Sequence, residues 1–289
     1  MYDLCKPSVI RALMEEAGIA LKKSYGQNFL VNPMVPQDIA DSCCDRADSL
    51  ILEIGPGIGC LTNELALRFE RVVAVEIDKG LIPVLAKTLQ DHDNVTVINE
   101  DVMKLDLARV VEEYAEGRPV SVCANLPYYI TSPILSALLE ADCFEAVTVM
   151  VQKEVAVRIA AKPGTADYSA FTVFCQYYAQ PELLFDVPAH CFMPQPKVTS
   201  AVITLKVRKE LPWDVADEKM FFRVVRASFA MRRKTLHNGL AAGFPELGKN
   251  GAKEVLTACG FPENVRGETL GIPEFARIAN EIVRRKQNG

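Results

Sequence analysis

Five short apolar runs, at residues 49–54, 71–76, 95–99, 119–124 and 145–151, recur along the chain and constrain its fold more than any other feature. Val72-Val73-Ala74-Val75 and Val95-Thr96-Val97-Ile98 show their character: β-branched and almost continuously hydrophobic, as strands covered on both faces must be. The stretches between them, near 60–69, 79–90, 107–115 and 131–140, carry apolar residues three or four apart, the period of an amphipathic helix. This alternation predicts an α/β protein with a largely parallel sheet and helices on both faces. Ligands of such sheets bind beyond the carboxyl ends of the strands. The residues that end each run are therefore the ones that can carry chemistry.

The first run ends in Leu52-Glu53-Ile54-Gly55-Pro56-Gly57-Ile58-Gly59 and opens a helical stretch, so Gly55 and Gly57 would let a ligand approach the backbone at a helix N-terminus. The dinucleotide fingerprint G-x-G-x-x-G needs a glycine where Cys60 stands; the spacing here is G-x-G-x-G, which turns the reading from NAD toward S-adenosylmethionine. Glu76 ends the second run, 21 residues after Gly55, where a carboxylate can accept both hydrogens of a ribose diol. After the third run, Asp101 can accept from an adenine amine while the Val102 amide donates to the neighbouring ring nitrogen.

The fourth run closes on Asn125-Leu126-Pro127-Tyr128. Asn125 offers an amide carbonyl, Pro127 stiffens the turn so that the carbonyls before it face outward, and Tyr128 supplies a flat stacking face. Such a turn suits a planar exocyclic amine. Its lone pair is delocalised into the ring, and two acceptors on its two hydrogens draw that pair back onto nitrogen, so that methyl transfer needs no general base. Each feature taken alone has a plainer reading as a solvated strand end or a strand-ending turn. Their placement after four successive strands is what points to a site.

The remaining segments frame this sheet. Ser8 is expected to cap a first helix with Ile10, Leu13, Met14 and Ala17 on one face, and Lys22–Leu30 to form an ordered loop or lid within an N-terminal region spanning 8–44. Past the fifth run we expect a helix at 152–161, an aromatic-rich helix or buried segment at 169–178 and a proline-stiffened loop at 192–198. A strand at 200–207 is expected to add antiparallel at the sheet edge. Phe192 is a candidate second stacking face opposite Tyr128, with a core position as the competing reading. Helices near 217–230, 233–241, 250–259 and 273–286 follow, so a boundary is expected between a domain at 1–208 and a helical domain at 209–289.

Charge separates the two regions. Residues 1–205 carry 16 basic and 27 acidic side chains (net −11), whereas 206–289 carry 16 and 10 (net +6). Arg223, Arg226, Arg232, Arg233 and Lys234, interleaved with Phe221, Phe222 and Phe229, can grip phosphates without reading bases. The chain has no apolar run of about 18 residues. Asp3 and Pro7 interrupt the profile of a signal peptide, so a cytoplasmic protein without membrane contact is expected. Nine cysteines without a C-x-x-C pair and three scattered histidines give no support to a metal site or a histidine triad.

Five segments together resemble the small-subunit (16S) ribosomal RNA adenine dimethyltransferases: Gly26-Gln27-Asn28-Phe29-Leu30, the Leu52–Gly59 loop, Asn125-Leu126-Pro127-Tyr128, Phe192-Met193-Pro194-Gln195-Pro196-Lys197-Val198, and Ser228-Phe229-Ala230-Met231-Arg232-Arg233-Lys234-Thr235-Leu236. The match spans essentially the whole chain, and Tyr25, where leucine is expected, is a small departure. The resemblance implies a Rossmann-like methyltransferase domain, a small all-helical C-terminal domain and dimethylation of N6 on two adjacent adenines near the 3′ end of 16S rRNA. By position it implies that Asn28 and Leu30 line the S-adenosylmethionine pocket, with Gly55 and Gly57 at its methionine part, Glu76 at the ribose and Asp101 at the adenine. Asn125 would border both cofactor and target, and a flipped base would sit between Tyr128 and Phe192. The expected partner is the small ribosomal subunit or its precursor, bound by a monomer. The competing functions are a non-catalytic assembly platform and a methyltransferase for another RNA, such as large-subunit rRNA.

Overall fold

Apolar runs with this spacing satisfy their backbone groups by pairing side by side, and the strand register shows how. The computed structural model describes residues 2–19, 27–231 and 233–288, so residues 22–26 of the expected lid and Arg232 lie outside the described residues. In chain order the elements are α1 (Pro7–Glu16), β1 (Phe29–Leu30), α2 (Met34–Asp41), β2 (Leu50–Ile54), α3 (Cys60–Arg68), β3 (Arg71–Val75), α4 (Ile82–Thr88), β4 (Val95–Ile98), α5 (Leu107–Ala115), β5 (Val120–Asn125) and α6 (Thr131–Glu140). They continue as β6 (Ala146–Gln152), α7 (Lys153–Ile159), α8 (Ala170–Tyr178), β7 (Ala179–Val187), β8 (Phe192–Met193), β9 (Ser200–Val207), α9 (Glu218–Ala230), α10 (Leu236–Gly243), α11 (Gly248–Ala258) and α12 (Ile272–Asn288).

The chain forms two compact units, one of Met1–Ala156 with Ala179–Lys209, the other of Val157–Tyr178 with Glu210–Gly289. In the first, a seven-stranded sheet has the order β4-β3-β2-β5-β6-β9-β7. The five strands β2 to β6 are parallel and begin and end within one residue of the expected apolar runs. β9 runs antiparallel to β6, as expected, but it is not the edge: β7 pairs outside it. The sequence hid β7 because Pro181 interrupts it and most of its residues are exposed or only half-buried. An outermost strand tolerates both, since its outward N–H groups need no partner there. Ser8 is not a cap either; α1 starts at Pro7, whose missing N–H suits the first helical turn, with Lys6 before it.

The boundary between the units is not the single cut expected at 208/209. Residues 157–178 belong with the helical unit, because Tyr168, Val173 and Tyr177 bury their side chains among Phe221, Phe244 and Phe275 in its core. Regrouped this way, the helical unit carries 15 basic and 11 acidic residues (net +4) and the sheet unit 17 and 26 (net −9), so the asymmetry persists. Among the described residues no helix is long and apolar enough to cross a membrane.

Close helix packing in the second unit depends on glycine. A Cβ on Gly239 of α10 would lie 2.6 Å from the carbonyl oxygen of Ala227 on α9, and one on Gly267 would lie 2.6 Å from that of Ser228. Backbone oxygens in a helix cannot step aside, so any side chain there forces the helices apart. Gly239→Ala is therefore expected to destabilise the protein by about 1–3 kcal/mol despite the better helix propensity of alanine. Thermal denaturation checks this, and an unchanged midpoint would mean that the two helices do not touch at this point.

Candidate active site

The carboxyl ends of β2, β3 and β5 meet around a solvent-open cleft of about 830 Å³ whose lining includes Asn28, Leu30, Gly55, Gly57, Glu76 and Asn125. The glycine loop needs its glycines: Gly55, Gly57 and Gly59 all have positive φ, at 70°, 63° and 90°, and a Cβ on Gly57 would press to 3.3 Å from the Phe29 ring. Glu76 holds this loop from the next strand. One carboxylate oxygen accepts from the Gly57 amide at 3.2 Å and the other from the Asp78 amide at 2.8 Å. Only 4% of Glu76 is exposed, and burial raises its pKa although the two amides oppose that shift. Each oxygen keeps a lone pair for a hydroxyl donor.

The opposite wall is built by the Asn125 turn. β5 ends at Asn125, whose Nδ2 donates to the Asn28 carbonyl at 3.5 Å, so that its Oδ1 is left as an acceptor. The Leu126 amide donates to the Met150 carbonyl at 3.1 Å, which fixes the turn to β6, and among the described residues no hydrogen bond ends on the Leu126 carbonyl. Tyr128 is half-buried and shares a 2.6 Å hydrogen bond with Ser200 at the start of β9. Burial raises the Tyr128 pKa, so it is a neutral phenol with its ring anchored at one end. The two-residue strand β1 pairs antiparallel with β8, Leu30 opposite Phe192, and this pairing carries Asn28 to the cleft.

Other expected site residues lie elsewhere. Phe192 is 4% exposed and packs with Leu30, Ile39 and Met150 in the core, so a sandwich with Tyr128 requires its ring to leave that cluster. Asp101 and Val102 follow β4, outside the cleft lining; Asp101 Oδ1 accepts from the Met103 amide at 3.0 Å and leaves its other oxygen for a ligand. In the helical unit Arg223 departs from the expected phosphate-facing set. Its guanidinium bonds Glu246 at 2.8 Å and the Gly243 carbonyl at 2.8 Å, and lies 4.1 Å from the centre of the Phe244 ring. That pairing holds the Glu246 pKa down at about 2. Arg226, Arg233 and Lys234 are exposed and, among the described residues, make no ion pair.

Two groups escaped the sequence reading. Ser200 anchors Tyr128 across 72 residues of chain, and no local pattern signals that. Glu53 was visible inside the glycine motif, but its alternation within β2 could not show that the side chain is 1% exposed, lines the cleft and leaves Oε2 without a hydrogen bond. Burial, with Glu76 nearby, raises its pKa to about 8. A carboxyl with a raised folded pKa stabilises the fold below the unfolded value and loses that contribution as pH rises toward the folded one. Unliganded protein should therefore lose stability between about pH 4.5 and 8, by up to roughly 5 kcal/mol from this group. Glu53→Gln should flatten that decline in melts across the pH range; an equal decline in the variant would mean that Glu53 ionises at its ordinary pH.

Glycines of positive φ, the buried carboxyl groups of Glu53 and Glu76 and the Asn125-Leu126-Pro127-Tyr128 turn thus line one cleft. The family model described as ribosomal RNA adenine dimethylase matches residues 18–283. The ribosomal RNA small subunit methyltransferase A of Alkaliphilus metalliredigens is 45% identical over 287 residues, 99% of this chain and 100% of that protein. Its counterpart in Geobacillus thermodenitrificans is 47% identical over 286 residues, 97% of each chain. A dimethyladenosine transferase from Plasmodium falciparum has the same fold, with a TM-score of 0.76 at 24% identity over 89% of this chain and 98% of that one. The 23S rRNA methyltransferase ErmE superposes with a TM-score of 0.67 at 28% identity, covering 89% of this chain and all of that one. On its sequence over nearly its full length and on its fold, the chain belongs to the ribosomal RNA adenine dimethylase family.

Proposed function

We infer that this protein uses S-adenosylmethionine to dimethylate the N6 amines of two adjacent adenines near the 3′ end of 16S rRNA, in the cytoplasm, during small-subunit biogenesis. The observation that carries the reading is that the Asn125 turn opens onto the same cleft as the glycine loop and Glu76. The residues fit the donor: a carboxylate with free lone pairs meets a ribose diol, the glycine backbone leaves room for the methionine part, and Glu53, whose raised pKa keeps it protonated in the unliganded protein, can ionise when a cation enters. Asp101 and the Val102 amide serve the adenine. Asn28 and Leu30, brought in by β1, close the near side.

When bound, S-adenosylmethionine supplies an electrophilic methyl group on a sulfonium centre. The protein aligns the nucleophile. Asn125 Oδ1 and the Leu126 carbonyl accept the two N6 hydrogens, the Tyr128 ring supports the flipped base from one side, and Phe192 covers it from the other once its ring swings out of the core. Ser200 keeps the tyrosine ring in place. Because the acceptors matter most as nitrogen becomes nucleophilic, they act on rate more than on binding. Incubation with methyl-labelled S-adenosylmethionine and undermethylated small subunits, with naked 16S rRNA as comparison, should place label on two adjacent adenines. Asn125→Ala should cut the single-turnover rate by roughly 100-fold or more while changing RNA affinity only slightly. Equal losses in both would make Asn125 a turn residue and nothing more.

RNA affinity is assigned to the helical unit, through Arg226, Arg233 and Lys234 together with Arg232. Arg223 is withdrawn from the set because its charge is spent inside the unit. Replacing Arg226, Arg233 and Lys234 by glutamine should weaken RNA binding at every sequence and flatten the slope of log affinity against log salt by about 2 to 3 units. Binding of S-adenosylmethionine should not change. A salt slope equal to that of the wild type would remove these residues from RNA recognition.

A further inference from the structure

Cys5 stands just before α1 and Cys60 is the first residue of α3, and their sulfurs lie 3.2 Å apart. Both are free thiols in the sheet unit. Cys5 is 8% exposed, and Cys60 lines the cleft, so a small solute in the cleft can reach the pair. Cys60 packs against a cluster that includes Leu4, next to Cys5 in the chain, with Ile10, Phe29, Ile58 and Leu81. Cys60 also sits where the dinucleotide fingerprint would have a glycine, directly after the glycine loop.

We propose that Cys5 and Cys60 form an oxidation-sensitive pair whose disulfide, made by a peroxide, weakens cofactor binding by drawing on the glycine loop. A disulfide needs its sulfurs about 2.05 Å apart, so closure moves them together by roughly 1 Å. A pull on Cys60 bears on its neighbour Gly59, whose amide bonds the Pro56 carbonyl at 2.9 Å and whose carbonyl accepts from the Asn63 amide at 2.9 Å. The turn that presents Gly57 to Glu76 must shift with it. Disulfides in reducing compartments are mostly transient and regulatory, which suits a pair beside a ligand rather than a structural staple.

The chemistry balances with the peroxide as two-electron oxidant. Cys5 is the attacking thiol, because its hydrogen bond with Cys60 lowers its pKa while burial and the carboxylates of Asp3 and Glu64 oppose this. Its thiolate sulfur takes one peroxide oxygen, the O–O bond breaks, and the departing hydroxide is protonated to water. Cys60 then attacks the sulfenic sulfur, the S–O bond breaks, and the hydroxyl leaves as a second water with the Cys60 proton. Each sulfur loses one electron and the peroxide gains two.

The test uses the full chain, reduced with dithiothreitol, desalted and treated with hydrogen peroxide. Mass spectrometry of a non-reducing digest should find a peptide linking Cys5 to Cys60, absent from Cys5→Ser and Cys5→Ala, both checked for an unchanged melting temperature when reduced. Calorimetric titration with S-adenosylhomocysteine should show roughly tenfold or weaker binding after oxidation. Dithiothreitol should restore it, and the Cys5 variants should bind equally well with or without peroxide. Oxidation that leaves residues 5 and 60 unlinked, or a link that leaves affinity unchanged, overturns the proposal. The affinity arm alone rests on the cleft being the cofactor site: reduced wild-type protein that fails to bind S-adenosylhomocysteine counts against that reading, while the linkage is still decided by the digest.

Discussion

One carboxylate ties the site together. Glu76 stands at the end of β3, and its reach back to the Gly57 amide fixes the loop that ends β2, so the carboxyl ends of two neighbouring parallel strands are bound by a side chain as well as by their ladder. Parallel strands make this possible because they end on the same side of the sheet. The Gly55 amide extends the ladder one step further, to the Val75 carbonyl at 2.9 Å, and leaves the loop no slack at its start. What lines the cleft is the backbone of Gly55 and Gly57, whose amides are already taken. The opposite wall is set by β5, one strand over on the other side of β2, and by the short pairing of β1 with β8.

Much of this was legible in the sequence because it is local. Apolar runs declare parallel strands, and the motifs that end them declare the cleft, since a parallel sheet gathers strand ends without further information. What was not legible depends on partners far away in the chain. Pro181 and a half-exposed pattern disguised β7 until β9 was seen to pair with it. The aromatic residues at 168–178 read as core, but nothing within that segment says which core, and Phe221, Phe244 and Phe275 lie dozens of residues downstream. Phe192 shows the same dependence: its sequence surroundings leave both a core position and a stacking face open, and only its pairing opposite Leu30 and its packing with Ile39 and Met150 place it in the core.

Charge shows the difference between a composition and an arrangement. The tail is rich in arginine, yet most of the cations of its last two helices are neutralised on the spot, Arg285 by Glu254 and Glu281, Arg284 by Glu281, Lys253 by Glu263. Exposed pairs of this kind contribute little to stability, but each withdraws a cation from the field that a polyanion would feel. Among the described residues Arg226, Arg233 and Lys234, on α9 and in the turn after it, stay exposed and without an ion pair, as do Lys162, Lys219 and Lys249 elsewhere in the unit. An excess of +4 spread over the helical unit is therefore a weak guide, and the position of the unpaired few carries the information.

The form of β7 bears on how the chain survives its own synthesis. A sheet that ends in a straight, apolar strand offers an unpaired ladder on which a second copy can grow, and a half-folded chain presents it for longest. Here the outermost strand carries a proline, a break in register between Leu183 and Phe185, and Glu182 paired with Lys206 of β9. An incoming strand would find a missing donor, a kink and a charge within a few residues of one another. The irregularities that made β7 hard to read as a strand are the same ones that discourage self-association while the polypeptide is still emerging.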